Sequence, residues 1–282
     1  MRISLLTALV MIAFAANSVL TRFAIAGGHI DPTGFAVVRV VSGAAMLYLF
    51  LLLRGGRLPN FGRDRAFGAL TLAVYIIGFS LAYLTLDAGL GALILFGVVQ
   101  IAMFAHGALF GVTPTLRKVV GAAIAFGGLV LVLWPGAGVH VDPIGAALMI
   151  AAGLGWAAYT IIGKGSDDPL ANTAGNFLFC APIVAILMLV QTTFYTPTGL
   201  IVGIFCGAVT SGLGYALWYA VLPKLMQSTA AVVQLSVPVI AILAGAAILA
   251  EPLGLKVIVA TILVLGGIGL AVSARAAQAD RS

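Results

Sequence analysis

Long apolar runs separated by short polar connections fill the chain from end to end. A membrane-crossing helix needs about 20 predominantly apolar residues. Ten stretches meet that length: 3–26, 32–53, 66–86, 89–111, 117–134, 143–163, 170–191, 198–219, 225–249 and 254–274. Transmembrane β-barrels are excluded, because their strands alternate over ~10 residues whereas these runs are long and continuous. Most connections are only a few residues long, so no segment remains for a soluble domain. The pattern predicts an all-α membrane protein with ten transmembrane helices and a polar tail over 275–282. The first run, after Met1 and Arg2, carries a small-residue pattern at Ala13 and Ala15 that would suit a signal peptide. It continues to about Ala26, too long for such a leader's apolar region, and reads as a retained first helix.

Composition agrees with this division. The chain has 282 residues, 62% hydrophobic and 8% charged, against roughly 45–50% and 25% in soluble domains. Fourteen basic and eight acidic residues cannot cover a soluble surface of this size. A soluble enzyme and a nucleic-acid-binding module are thereby excluded. Cys180 and Cys206 lie inside spans and behave as small hydrophobes, so neither a disulfide nor a metal site is expected, and no cofactor.

The placement of charge sets orientation. With the N-terminus inside, the cytoplasmic ends carry Arg2, Arg54, Arg57, Arg63, Arg65, Arg117, Lys118, Lys164, Lys224, Arg275 and Arg281. The opposite side carries Lys256, while Arg22 and Arg39 fall within spans. Lysine and arginine collect on the cytoplasmic side of short loops, so both termini are expected to be cytoplasmic.

The two halves echo each other at offsets of 136 to 142 residues. Phe14, Asn17 and Arg22 fall on Trp156, Tyr159 and Lys164, and Asp31-Pro32 falls on Asp168-Pro169. Gly78, Phe79, Tyr83 and Leu86 fall on Gly214, Tyr215, Tyr219 and Leu222, and Pro114, Lys118 and Gly128 on Pro252, Lys256 and Gly266. The implied units are residues 1–136 and 137–274, each of five helices. A duplicated unit with an odd number of crossings inserts its second copy upside down. Such inverted repeats are a structural basis of alternating access around a midplane site, which makes a transporter the leading expectation.

Polar residues within spans narrow the chemistry, since they are costly there and mark functional sites. Asp31, Asp87, Asp142 and Glu251 fall at outer connections, and Asp64, Asp167, Asp168 and Asp280 at inner ones, leaving no carboxylate at mid-membrane. A proton-coupled extruder of cations would be expected to keep one, so that reading is disfavoured. Arg22 and Arg39 are candidates for contacting an anion or closing an outer gate with Asp31 or Asp87; the alternative is that they snorkel to the interface. His106 is a candidate relay or a packed histidine. Tyr75, Phe79 and Tyr83 recur at helical spacing on one face, and their counterparts are Ser211, Tyr215 and Tyr219, with Trp218 beside them. Asn17, Trp156, Tyr159, Gln100 and Gln234 complete a set expected to line a cavity, against the alternative of ordinary core packing. Rings with a few amides and hydroxyls suit a small zwitterion with an apolar side chain. Tyr195 and Trp134, at span ends, read as interfacial residues, and Pro182 and Pro238 as kinks.

The run from Ala15-Ala16-Asn17-Ser18 to Arg22, echoed by Gly155-Trp156-Ala157-Ala158-Tyr159 to Lys164, resembles the ten-helix EamA-type branch of the drug/metabolite transporter superfamily. So does the stretch from Ser228 through Pro238 to Ala250-Glu251-Pro252 with the glycine-rich last span. The resemblance covers the whole chain and is strongest to YddG-type exporters of aromatic and other amino acids. It implies a bacterial-type inner-membrane carrier of small metabolites with a central cavity and no nucleic-acid partner. One departure is visible: Glu251 has Thr113 as its counterpart. A second carrier reading, an exchanger of anionic sugar or phosphate compounds, would use Arg22 and Arg39 as ligands. An intramembrane enzyme has few candidates for acid–base chemistry, and no filter-like segment suggests a channel.

Overall fold

The computed structural model describes residues 2–58, 62–110, 115–134, 141–163, 166–189, 194–225 and 233–279. Lys164, Thr113, Pro114, Ser228, Asp280, Arg281 and the boundary at 136/137 lie outside the described residues, as do the side chains of Arg2 and Arg275. Among the described residues the fold is all-helical, apart from an isolated bridge between Ile30 and Tyr195.

The helices are α1 (Arg2–Ala26), α2 (Pro32–Leu53), α3 (Arg63–Ala82), α4 (Ala88–Phe110), α5 (Leu116–Leu133), α6 (Pro143–Gly163) and α7 (Pro169–Ala185, extended by a 3-10 turn over Ile186–Leu189). They continue as α8 (Pro197–Lys224), α9 (Ser236–Leu249) and α10 (Leu255–Ala279). Nine of these segments are long and apolar enough to cross a membrane; α9 is shorter over its described residues. The chain is a multi-pass membrane protein. Its outer surface fits that setting: Leu109, Phe110, Leu116, Leu189, Leu255 and Ile262 are all exposed, an apolar surface that lipid rather than water solvates.

Local sequence explains the helix starts. Proline at the first helical position costs no hydrogen bond, and α2, α6, α7 and α8 all begin with one. Asp31, Asp142, Asp168 and Thr196 stand immediately before those prolines. Their side chains accept from the backbone N–H of Gly34 (2.9 Å), Gly145 (2.7 Å), Ala171 (3.0 Å) and Gly199 (3.1 Å), satisfying donors otherwise orphaned at a helix start. α2 stops at Gly55, whose φ of 70° suits the left-handed turn that closes a helix.

α3 begins at Arg63, earlier than the apolar run, because its first turn is charged and its apolar stretch starts one turn later. Pro182 lies inside α7. Pro238 follows a turn at Leu235 that interrupts the helical bonding between Val233–Gln234 and Ser236–Leu249, the position where its missing N–H would break a bond to Gln234. α8 is not uniform: Cys206–Leu213 is π-helical between two α-helical arms, Pro197–Phe205 and Gly214–Val221. Such segments widen a helix by one residue per turn and often occur at functional sites.

Connections after odd-numbered helices gather at one end, as alternating crossings require. Arg22, closing α1, reaches the α3–α4 connection and Glu251 after α9. The α1–α2 connection bonds the segment before α8 through His29 O and Thr196, and Thr85 bonds Asp142 (2.9 Å). The Lys256 ammonium donates to the Trp134 carbonyl. At the other end Arg54 pairs with Asp168. We call these the Arg22 and Arg54 faces.

Inside, α2 packs on α7 and α8, α3 on α6 and α7, α4 on α6 and α9, α1 on α8 and α9, and α5 on α10. Glycine sets the closest approach. A Cβ at Gly207 would sit 2.3 Å from the Arg39 carbonyl oxygen, and one at Gly121 would sit 2.5 Å from that of Gly267. Backbones this near need positions without a side chain.

Candidate functional site

Arg39, two turns into α2, is 1% exposed and is the only fully ionised type among the buried side chains described. Its Nε donates to Ser211 Oγ (3.1 Å) on the π segment of α8, and its Nη2 to the Tyr75 hydroxyl (3.0 Å) on α3. The guanidinium lies 4.9 Å from the centre of the Phe79 ring and 5.5 Å from that of Tyr75, within cation–π range. Among the described residues Nη1 has no hydrogen-bond partner. The ion pairs there are Arg22–Asp87, Arg22–Glu251 and Arg54–Asp168, none of which includes Arg39. The ionisable groups that interact with it electrostatically are the phenols of Tyr75, Tyr83 and Tyr215 and the thiols of Cys206 and Cys180.

Ser211 passes the interaction on by donating to Asn17 Oδ1 (3.1 Å) on α1. The same oxygen accepts from Thr210 Oγ1 (2.7 Å) and Cys206 Sγ (3.3 Å). One amide oxygen thus lies within hydrogen-bonding distance of three side chains of the π segment, so Cys206, Thr210 and Ser211 all face α1. The Thr210 hydroxyl divides its one proton between that oxygen and the Cys206 carbonyl (2.8 Å). Ser211 has Asn17 and Arg39 as its side-chain partners, with neither a histidine nor a carboxylate to take its proton.

Around this centre the rings form one continuous wall. Tyr75 lies 5.3 Å from Phe79 and 4.9 Å from Trp156; Trp156 lies 5.2 Å from Tyr159 and 5.4 Å from Tyr215. Phe79 meets Tyr83 edge-on at 4.8 Å. Phe14 joins Tyr215 (5.5 Å) and Trp218 (6.1 Å), and Phe177 joins Tyr215 (5.9 Å). Tyr159 donates to Thr173 Oγ1 (3.2 Å), which donates to the Tyr219 hydroxyl (3.0 Å).

Ten of the sequence-selected residues therefore meet: Asn17, Tyr75, Phe79, Tyr83, Trp156, Tyr159, Ser211, Tyr215, Trp218 and Tyr219. Gln100 and Gln234 are half-buried and outside these contacts. His106 is exposed on α4, its ring 5.0 Å from Phe110, so the structure does not bring it to the polar centre. Trp134 and Tyr195 are exposed at helix ends. Phe14, Thr173, Phe177 and Thr210 belong to the cluster but were not singled out for it. The signal for the two threonines was present, because an uncharged polar group in an apolar span also needs a partner.

Both faces are fastened by polar contacts. On the Arg22 face, Arg22 Nη1 donates to the carbonyls of Tyr83 and Leu84 (both 3.1 Å), and its other nitrogens pair with Asp87 (3.4 Å) and Glu251 (3.6 Å). Glu251 also accepts from the Ala88 amide (2.8 Å), capping α4, and Gly245 leaves room for its carboxylate. Burial raises the Glu251 carboxyl above its ordinary range, with the Ala88 amide opposing and the charge of Asp87 adding to the rise. Asp31 does not meet Arg22; it caps α2 and accepts from the Phe194 amide (2.9 Å). On the Arg54 face, Arg54 pairs with Asp168, and Arg65 donates to Asn172 O (2.8 Å) and Asn176 Oδ1 (3.3 Å). Burial alone would raise the Asp168 carboxyl, but the bonds from Arg54 and Ala171 outweigh it and hold the group below its ordinary range. Among the described residues no cluster of His, Cys, Asp or Glu could hold a metal ion.

The structure is thus a bundle of membrane-crossing helices around a buried polar and aromatic centre, fastened at both faces. Residues 143–273 match the EamA-like transporter family. An uncharacterised protein of Pseudomonas aeruginosa is 45% identical over 283 residues, 99% of this chain and 98% of its own length. An uncharacterised transporter of Archaeoglobus fulgidus is 28% identical, covering 94% of this chain and 95% of itself. A solved crystal structure with 18% sequence identity shares the fold, with a TM-score of 0.70 over 94% of this chain and 97% of its own.

Proposed function

We propose that the protein exports amino acids, aromatic or other small neutral ones, and related metabolites across a bacterial-type inner membrane by alternating access. In this reading Asn17, Ser211 and the rings of α3, α6 and α8 line the substrate cavity, and Arg22 with Asp87 and Glu251 closes the outer side. The carrying observation is the convergence of the ring wall on the Arg39–Ser211–Asn17 chain, between polar fastenings on opposite faces. Rings stack on apolar side chains without selecting one, and the hydroxyls and amide supply orientation.

Two inverted repeats, 1–136 and 137–274, are part of the proposal. The packing supports them. Exchanging α1–α5 with α6–α10 turns the pair α3–α6 into α8–α1, α4–α6 into α9–α1, and α2–α8 into α7–α3. The same exchange leaves α2–α7, α4–α9 and α5–α10 unchanged, and all these pairs are in contact. A midplane site between such halves opens to each side in turn. The basic residues at the Arg54 face support cytoplasmic termini.

An exchanger of phosphate compounds would need both intramembrane arginines free. Arg22 is held by two carboxylates and two carbonyls, which speaks against it. The test is flux of labelled amino acids into and out of liposomes containing the protein, with and without an imposed pH gradient. Saturable flux of phenylalanine or a small neutral amino acid is expected; none for any amino acid overturns the proposal. Trp156→Ala and Tyr83→Ala should weaken apparent affinity, and normal affinity in both would remove the cavity assignment.

A further inference from the structure

We infer that Arg39 receives the carboxylate of the transported solute through Nη1, and that the preferred solutes are monocarboxylates with an apolar body, the amine being optional. This rests on the interior being the substrate site. The two intramembrane arginines are treated differently by the fold. Arg22 is neutralised within the protein by Asp87 and Glu251. Arg39 is more deeply buried and has only neutral partners: two hydroxyls and two ring faces. A buried ion without a counter-charge is costly, and more so within a bilayer. The hydroxyls of Ser211 and Tyr75 hold two corners of the guanidinium and fix its plane, leaving Nη1 as the donor not engaged by the described residues. A fixed donor carrying full charge is what a carboxylate recognises most strongly.

The charge count then ranks solutes. A monocarboxylate cancels the charge of Arg39; a zwitterion leaves the site positive, and an amine without a carboxylate adds to it. A phosphate monoester or dicarboxylate would need a second cation, and Arg39 is the only buried arginine or lysine described. An ammonium group is tolerated against the faces of Tyr75, Trp156 and Tyr215, which keeps amino acids acceptable. Phenylpropionate should therefore bind at least as well as phenylalanine. Phenethylamine, lacking the charge-assisted bond, should bind about 10- to 100-fold more weakly.

The experiment uses purified full-length protein in detergent, with tryptophan fluorescence as the readout, since Trp156 touches Tyr75. Phenylpropionate, phenylalanine and phenethylamine are titrated into wild type, Arg39→Lys, Tyr75→Phe and Ser211→Ala, with thermal unfolding as the fold control. The expected result is tight binding of both carboxylates and weak binding of the amine. Arg39→Lys should lose about tenfold or more, because an ammonium cannot reproduce the planar fork, and the hydroxyl variants should fall between. Phenethylamine binding as tightly as phenylpropionate, no binding by any of the three, or a folded Arg39→Lys with unchanged affinity each overturns the inference. The wild-type comparison decides even if the variants fail to fold. Amino-acid flux that ignores Arg39 would sink this inference and leave the export reading standing. Arg39-dependent binding of phenylpropionate without amino-acid flux would do the reverse.

Discussion

A single methyl group at Gly207 should separate α2 from α8 and disconnect the polar centre. The added Cβ would lie 2.0 Å from Ser42 Oγ and 2.3 Å from the carbonyl oxygen of Arg39. The hydroxyl can rotate away, but the carbonyl belongs to the α2 backbone, so the helices must part by about 1 Å, a rearrangement that typically costs about 1–3 kcal/mol. The Arg39–Ser211 bond, 3.1 Å long, would stretch to about 4 Å, beyond hydrogen-bonding reach. Gly214→Ala supplies the control on the same helix, since its nearest neighbour would be the Ala13 Cβ at 3.5 Å, an ordinary contact. There the better helix propensity of alanine, worth up to about 1 kcal/mol, should leave stability unchanged or raised. Thermal unfolding in detergent measures both, and solute binding measures the damage at Arg39. Equal behaviour of the two variants, or a Gly207→Ala protein with wild-type stability and binding, would refute the reasoning.

Three further outcomes follow from the polar contacts. Asn17→Ala should destabilise by about 1–3 kcal/mol in thermal unfolding, because Ser211 loses its acceptor in a buried site; an unchanged midpoint would contradict the network. Glu251 and Asp168 should give opposite pH slopes. The raised Glu251 carboxyl binds its proton more tightly in the packed state than in the unfolded one, so its contribution to stability falls as pH rises from the ordinary carboxylate range through the raised value. The lowered Asp168 carboxyl contributes above the ordinary range, and that contribution is lost as pH falls through its lowered value. Melting curves across the acid range should lose the first slope in Glu251→Gln and the second in Asp168→Asn; slopes of the same sign would count against the assignment. His106→Ala should leave flux in liposomes unchanged, since the ring lies on the outer surface of α4, and loss of flux would reinstate a relay.

Much of the scaffold was legible because the bilayer imposes lengths. The runs 3–26, 32–53 and 143–163 match Ile3–Ala26, Pro32–Leu53 and Pro143–Gly163, and the proline starts mark their own boundaries. The aromatic face of Tyr75, Phe79 and Tyr83 was legible from helical spacing. The pairing of Arg22 with Glu251 was not, because it depends on how α1 and α9 meet at one face. Nor was the lack of a carboxylate partner for Arg39 among the described residues, which depends on the whole packing rather than on any neighbour in the chain. The π segment was equally hidden: Cys206–Leu213 differs in no obvious way from the α-helical sequence around it, and its widening answers to Asn17 and Arg39 on other helices. Asn172 and Asn176, which hold Arg65, carried the same cue as the threonines: polar side chains spaced along one face of an apolar span.

That π segment behaves like a dislocation in a crystal, one residue held in excess of what regular winding would allow. Successive residues of an α-helix are turned by roughly 100°, so rewinding Cys206–Leu213 to regular bonding would swing the Gly214–Val221 arm by about that angle without unfolding it. Tyr215, Trp218 and Tyr219 would leave the ring wall together, and Ser211 would turn away from both Arg39 and Asn17. The wall and the arginine's anchor thus depend together on the winding of one helix.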